Sequence, residues 1–247
     1  MNLLWILSGN LEHRNGRLFS PLGSHRLRCL DPAAALARRG HRIALAQAET
    51  LAGKLDSSEL RAADAVIVAK QFADIAPLLS AVKERGPLVV VDLCDDVLGL
   101  DHLRETYAGM LEVADAFTAA SSVLVDRIRP GRTTPVALVP DCVEGKAQPP
   151  AFDAGPGRPL RLLWFGQPGN LDALDKAISD LGRRLTEFTP TLTIVTWLSP
   201  DVAERFPKRR DGLSIRCLPW SPEVMRGAFG DCDLVLLCHR PYMGSDL

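Results

Sequence analysis

Residues 136–170 read VALVPDCVEGKAQPPAFDAGPGRPLRLLWFGQPGN. The segment opens on a short apolar run, Val136–Val139. It then crosses a tract carrying Pro149, Pro150, Gly155, Pro156, Gly157 and Pro159, and restarts on a second apolar run, Leu160–Phe165, that ends in Gly166 and Gly169. Clustered Pro and Gly between two apolar runs mark a linker between folding units. Reading outward to the left, similar apolar runs recur at Leu3–Leu7, Arg42–Ala46, Ala65–Ala69, Leu88–Val91 and Ala116–Ala119. Runs of this kind are expected of strands buried on both faces of a parallel sheet. Helices are expected between them: Asp31–Arg39, with Asp31 and Pro32 opening it and Gly40 ending it, then Phe72–Arg85 and His102–Val113. To the right the rhythm continues as helix Leu171–Phe188, strand Leu192–Leu198, a short helix Val202–Phe206, strand Leu213–Leu218, helix Pro222–Phe229 and strand Leu234–Cys238. The expectation is an α/β protein of two Rossmann-like domains, 1–145 and 160–247, with a linker over 146–159. A doubly wound unit has about six strands, and the second half shows fewer. It is therefore expected to be incomplete at its C-terminus, either as a fragment or as a unit completed by a partner.

Composition narrows the function classes. The chain has 247 residues, with 29 Lys and Arg against 30 Asp and Glu, so no overall positive field draws it to nucleic acid. No apolar run is long enough to cross a bilayer, and the apolar Met1–Ser8 lacks the basic flank and cleavage site of a signal peptide. The six cysteines form no CxxC pair and sit mostly in apolar runs, which fits reduced structural thiols in a cytoplasmic protein rather than a zinc site.

The order of local motifs carries a resemblance. His25-Arg26-Leu27-Arg28, Pro32–Leu36 and Arg39-Gly40-His41-Arg42 resemble the first helix of GT-B glycosyltransferases. Ala114–Ser121 (ADAFTAAS) is similar to the end of the fifth strand of their acceptor domain, and Val136–Val143 (VALVPDCV) to the strand that closes that domain. Arg161–Asn170 (RLLWFGQPGN) resembles the opening strand and glycine loop of the donor domain, and Trp220–Leu236 its later helix and strand. Together these motifs resemble the retaining, family-4-like branch of the GT-B enzymes. The resemblance implies metal-independent transfer of a sugar from a nucleotide-diphosphate sugar to a glycan, lipid or small-molecule acceptor, as in polysaccharide biosynthesis. The nucleotide sugar is then a co-substrate and no cofactor is required. A lipid-linked acceptor would bring peripheral contact with the inner face of the membrane. The acidic pair that grips the donor in that branch would fall beyond Leu247, and Gln167, Pro168, Gly169 and Asn170 stand where its Arg and Lys would be. The alternatives are a non-catalytic nucleotide-sugar or glycan-binding fragment, and another two-domain α/β enzyme such as a nucleotide-sugar epimerase.

Candidate site residues follow from the strand ends. Gly166, Gly169 and Asn170 occupy a strand-to-helix turn where backbone N–H groups can cradle a phosphate, or which turns without a ligand. Their spacing is not GxGxxG, which disfavours a nicotinamide dinucleotide. Gly9 ends the first strand as a further candidate for the donor phosphate, and the polar loop that follows carries the acceptor-side candidates His13, Arg14, Arg17, His25 and Arg26. These can meet an acceptor or a diphosphate, or remain a solvated loop. Asp95 and Asp96, after an apolar strand, are candidates to orient the attacking hydroxyl, or caps of the next helix. Trp220 can flank a nucleobase or pack in the core, and Arg240 can reach a phosphate or sugar. Asp231-Cys232-Asp233 spells DxD but lies at a strand's amino end, where it reads as a helix stop and strand entry. Lys208-Arg209-Arg210 reads as a solvated turn, and no serine sits in a GxSxG setting.

Overall fold

The computed structural model describes residues 1–9, 11–14, 17–51, 57–99, 101–142, 144 and 158–238, without the side chains of Arg17 and His102. Most of the expected linker lies outside the described residues. The chain divides into two compact units, Met1–Lys146 and Ala147–Leu247.

The first unit contains, in chain order, β1 (Asn2–Leu7), β2 (Glu12–Arg14), β3 (Arg17–Phe19), α1 (Gly23–His25), a π-helical turn (Arg26–Leu30), α2 (Asp31–Arg38), β4 (Arg42–Gln47), α3 (Ala48–Leu51), α4 (Ser58–Arg61) and β5 (Ala65–Val68). It continues with α5 (Ala76–Lys83), β6 (Leu88–Leu93), α6 (Asp101–Val113), β7 (Ala116–Ala119), α7 (Ser122–Ile128) and β8 (Val136–Leu138). Six parallel strands form one sheet in the order β4-β1-β5-β6-β7-β8. Its strands are apolar on both faces because both are covered. Leu4, Ile6, Val66, Val68, Val89 and Val91 pack with Leu79, Val82 and Met110 of α5 and α6. Leu3, Trp5 and Leu7 pack on the other side with Cys29 and Ala33.

The second unit contains β9 (Arg161–Phe165), a 3-10 turn (Pro168–Asn170), α8 (Leu171–Arg184), a second 3-10 turn (Thr186–Phe188), β10 (Thr191–Thr196), α9 (Pro200–Arg205), β11 (Arg209–Arg210), β12 (Leu213–Pro219), α10 (Pro222–Gly230) and β13 (Leu234–Leu236). Its sheet runs β11-β12-β10-β9-β13 and is parallel apart from β11. Leu162, Trp164, Ile194 and Ile215 pack beneath Leu171, Leu174 and Ile178 of α8.

Several sequence expectations are corrected. The polar loop after β1 holds an antiparallel hairpin, β2–β3, because Glu12 to Arg14 pairs residue for residue with Arg17 to Phe19. The helix expected to start at Asp31 is instead continuous from Gly23. Pro32 lacks an N–H and would crowd the carbonyl four residues back, and the π-helical turn just before it, closed by Asp31 N–H donating to Arg26 O, accommodates the break. The helix expected from Phe72 begins at Ala76, since Pro77 is tolerated only in a first turn and the Asp74 carboxylate accepts the Ala76 N–H at 2.8 Å. Helices α3, α4 and α7 are additions to the expected pattern. Arg209 and Arg210 form an edge strand on β12, and Arg210 pairs with Asp175, so this is not a free solvated turn.

Candidate functional site

In each sheet the strand order reverses beside the first strand: between β1 and β5 in the first unit, and between β9 and β13 in the second. Ligands of open α/β sheets bind at the carboxyl ends of the strands at such a reversal.

At the β1/β5 end of the first unit the chain places a polar network. Ser8 Oγ donates to Gln71 Oε1 at 2.6 Å, and Gln71 Nε2 donates to the carbonyls of Ala69 at 2.7 Å and Ile6 at 3.2 Å. The Gln71 N–H donates to Tyr107 Oη at 2.9 Å, locking the end of β5 to α6. Lys70 follows β5 and forms an ion pair with Asp95, which follows β6. Gly9 takes φ +89°, a conformation that suits glycine, and its carbonyl accepts from Gln47 Nε2 at 2.9 Å. A Cβ at Gly9 would stand 3.9 Å from His25 Cε1. His25 is 0% exposed; its Nδ1 lies 3.0 Å from Ser20 Oγ, and its Nε2 is buried without a partner among the described residues. Burial, and then the positive field of Lys70, push the imidazole below its usual value, so it is neutral at pH 7.

Behind this edge lies a buried ion pair that no local pattern in the sequence singles out. Arg28, on the π-helical turn, meets Asp92 at the end of β6 through both carboxylate oxygens, and also reaches Val139 O and Asp141. Thr118 Oγ1 donates to the same Asp92. Burial opposes the charge on Arg28, but the hydrogen bond and charge of Asp92 prevail and hold its pKa above the usual value. The pair ties the helix after β1 to the far side of the sheet, and so fixes where His25 stands. Its only trace in the sequence is an Asp inside an apolar strand and an Arg three residues after His25.

The other candidates of the first unit separate. Asp95 stands in the network with Lys70. Asp96 does not: its carboxylate accepts the Gly99 N–H at 2.9 Å and fills the space beside Gly99, a local turn role. Arg26 is occupied by Glu144, at 2.6 Å, and by the carbonyls of Ser20 and Pro21. Arg14 pairs with Glu12 and lies 4.0 Å over the Phe19 ring. His13 lines a separate cavity of about 320 Å³ walled by Leu4, Leu11, Leu18 and Leu45. Arg17 contributes backbone to the hairpin. The thiols of Cys29 and Cys94 are pushed up to about 12 by burial, which makes them inert rather than nucleophilic.

In the second unit the turn after β9 is built around packing. A Cβ at Gly166 would come within 2.9 Å of the Trp164 ring. The Gly166 carbonyl accepts from Thr196 Oγ1 at 2.7 Å, and its N–H donates to Val195 O at 3.2 Å. The Asn170 N–H donates to Gln167 O at 2.9 Å. Gly169 is exposed, and a Cβ there would have nothing within 4 Å. Trp220 is half-buried against Leu163, Val195, Met225 and Ala228. Arg240 lies outside the described residues. Asp231 ends α10, and Asp233 is gripped by Arg161 at 2.7 Å at the amino end of β9, so the DxD triplet serves the fold. Among the described residues there is no cluster of metal-ligating side chains, and no helix is long and apolar enough to cross a membrane.

No family model matches the chain, and no curated protein matches its sequence. Solved structures share its fold. Acinetobacter baumannii MurG aligns over 94% of this chain and 70% of its own, at 15% identity and a TM-score of 0.51. An alpha-glucosyltransferase in complex with UDP and a 13-mer DNA containing a central A:G mismatch aligns over 94% and 70%, at 14% identity and a TM-score of 0.56. Phytolacca americana UGT2 complexed with UDP-2fluoro-glucose and pterostilbene aligns over 95% and 76%, at 11% identity and a TM-score of 0.50. The chain has the GT-B glycosyltransferase fold, α/β with two Rossmann-like units.

Proposed function

We propose that this protein is a glycosyltransferase that moves a sugar from a nucleotide-diphosphate donor to a glycan, lipid-linked or small-molecule acceptor, with retention and without a metal. The observation that carries the reading is the polar edge of Ser8, Gly9, His25, Lys70, Gln71 and Asp95, assembled from separate strands at the strand-order reversal of a GT-B fold. The second unit takes the donor, with its diphosphate over the exposed turn at Gly169 and the start of α8, where helix N–H groups favour an anion. The first unit takes the acceptor. Asp95, held by Lys70, accepts a hydrogen bond from a hydroxyl of the acceptor next to the attacking one and so aims the attacking oxygen, whose own proton stays directed at the donor phosphate. The acceptor oxygen bonds to the anomeric carbon as the bond from that carbon to the phosphate oxygen breaks, and the acceptor proton passes to the departing phosphate. Such chemistry asks the protein for orientation and charge stabilisation rather than a strong base. Support for a metal-free route is that Asp233 of the DxD triplet is already committed to Arg161.

The test is incubation with UDP-, GDP- and ADP-sugars while following nucleoside diphosphate release and thermal unfolding. A donor present at 100 times its dissociation constant should stabilise the chain by about 2.7 kcal/mol, and release should rise with a matching acceptor. Absence of both effects across the panel overturns the reading. Stabilisation without release, whatever acceptor is offered, makes it a nucleotide-sugar binder instead.

A further inference from the structure

We propose that the cavity between the β2–β3 hairpin, β4 and α3 binds the aliphatic, hydroxyl-bearing end of a neutral ligand, and that this ligand is the acceptor. β4 is the outer strand of the first sheet. Leu45 and Ala46 are consecutive and belong to opposite faces of that sheet, yet both line the cavity, which therefore wraps the open edge of the strand. Leu11 and Leu18 come to it from the hairpin segment, Leu4 from β1 and Leu51 from α3. The volume is about 320 Å³, at the small end of ligand pockets. At about 30 Å³ for each water-sized group, that is room for roughly ten non-hydrogen atoms. Five leucines and an alanine favour an aliphatic group, and among the described residues no Phe, Tyr or Trp lines the cavity as a platform for a flat ring.

The polar requirement comes from the backbone. The Arg42 N–H donates to Met1 O at 3.0 Å, so Arg42, Ala44 and Ala46 turn their peptide groups to β1, and Leu45 turns its N–H and C=O to the open side. Neither group of Leu45 has a partner there among the described residues. A hydroxyl gives one hydrogen bond and takes another, and so serves both. Among the described residues no Lys or Arg lines the cavity to receive an anion. Position ties the cavity to the reaction. Gln47 lies on its wall, ends β4 and holds the Gly9 carbonyl at 2.9 Å, so the cavity adjoins the polar edge at β1. β4 and β6, which Asp95 follows, are three strand spacings apart, about 14 Å. An acceptor with one hydroxyl on Asp95 and its aliphatic end in the cavity is an amphipathic molecule of that reach, such as an alkyl glycoside. This assignment rests on the transferase reading above; binding in the cavity does not.

The experiment is carbon and nitrogen NMR of the full chain with labelled leucine methyls and backbone amides, titrated with straight-chain alcohols from propanol to dodecanol, with hexanoate and with glucose. The alcohols should give saturable shifts of the Leu11, Leu18 and Leu45 methyls and of the Leu45 amide. Affinity should rise about fourfold with each added methylene and level off once the cavity is full. Hexanoate should bind about 10-fold or more weaker than hexanol, and glucose should give no shift. Ala46→Leu, which fills the cavity, and Leu18→Ser, at an exposed hairpin position, should each weaken hexanol binding roughly 10-fold. If Ala46→Leu fails to fold, Leu18→Ser and the chain-length series decide. No saturable shift at these leucines overturns the site, as does an affinity that never levels off or hexanoate binding as tightly as hexanol. With a sugar donor that the chain turns over, KM for alkyl glucosides should fall with chain length to the same plateau while kcat holds. A KM indifferent to chain length overturns the assignment to the acceptor and leaves the site standing. Alcohol binding without turnover of any nucleotide sugar removes the transferase reading alone.

Discussion

At the residue scale, Asp95 and Asp96 are equivalent in sequence and different in structure. Asp96 is spent on the Gly99 turn, and Asp95 faces Lys70. Asp95→Asn should lower turnover roughly 100-fold by misplacing the acceptor, with little change in thermal stability because the side chain is half exposed. Unchanged turnover removes Asp95 from the reaction. The buried Arg28–Asp92 pair is the opposite case: Arg28→Met leaves a carboxylate buried without its partner and should cost about 3–5 kcal/mol in urea unfolding. Two glycines divide in the same way. Ala at Gly9 meets only ordinary contacts and suffers from its positive φ, about 1 kcal/mol, whereas Ala at Gly182 of α8 would overlap the Asp211 carbonyl and should cost about 3 kcal/mol. Equal destabilisation by the two would contradict this difference. Gly182 gives no sign of its role in sequence, because Asp211 is brought against it only when β11 and β12 fold onto α8.

At the scale of the element, the buried parallel strands are legible in sequence because continuous apolar runs leave few other options. The β2–β3 hairpin and α7 are not. Glu12–Arg14 and Arg17–Phe19 have three residues each, too few to show an alternation, and their pairing is set by backbone hydrogen bonds that any side chain permits. The start of α7 rests on Ser121, whose Oγ accepts the Leu124 N–H at 3.2 Å, and Ser221 caps α10 on Val224 at 3.1 Å in the same manner. Replacing either serine by Ala should cost about 1 kcal/mol, measured as a shift in urea midpoint, and Ser→Asp at the same positions should keep the stability. Loss with both replacements would show that the hydroxyl serves packing rather than the cap.

For the molecule as a whole, acid should weaken the fold within a defined window. Asp233 is held at about 2, first by its hydrogen bond to Arg161, against an ordinary 3.8. Asp175, between Arg210 and Arg205, and Asp115, beside Lys83, are also lowered although burial opposes it. A carboxylate lowered in the folded state contributes its stability above the unfolded value and loses it as the pH falls through the folded one. Urea midpoints should thus hold steady above about pH 5, fall from about pH 4 towards 2, and fall less in Asp233→Asn. An unchanged slope in that variant would remove Asp233 from the acid response.

The sequence by itself determined the alternation of strand and helix, the α/β class and the GT-B resemblance, since apolar periodicity and glycine-bearing strand ends are local quantities. It also placed Gly9 at the end of β1 and Asp95 after β6, whereas His25, read as part of a polar loop, lies on the first helix. Which of them meet was decided only by tertiary structure. Strand order brings Ser8 to Gln71 and Lys70 to Asp95, and the buried Arg28–Asp92 pair sets the helix that carries His25. Those contacts join residues some 25 to 64 positions apart. Their energies depend on burial and on partners across the fold, which no local pattern encodes.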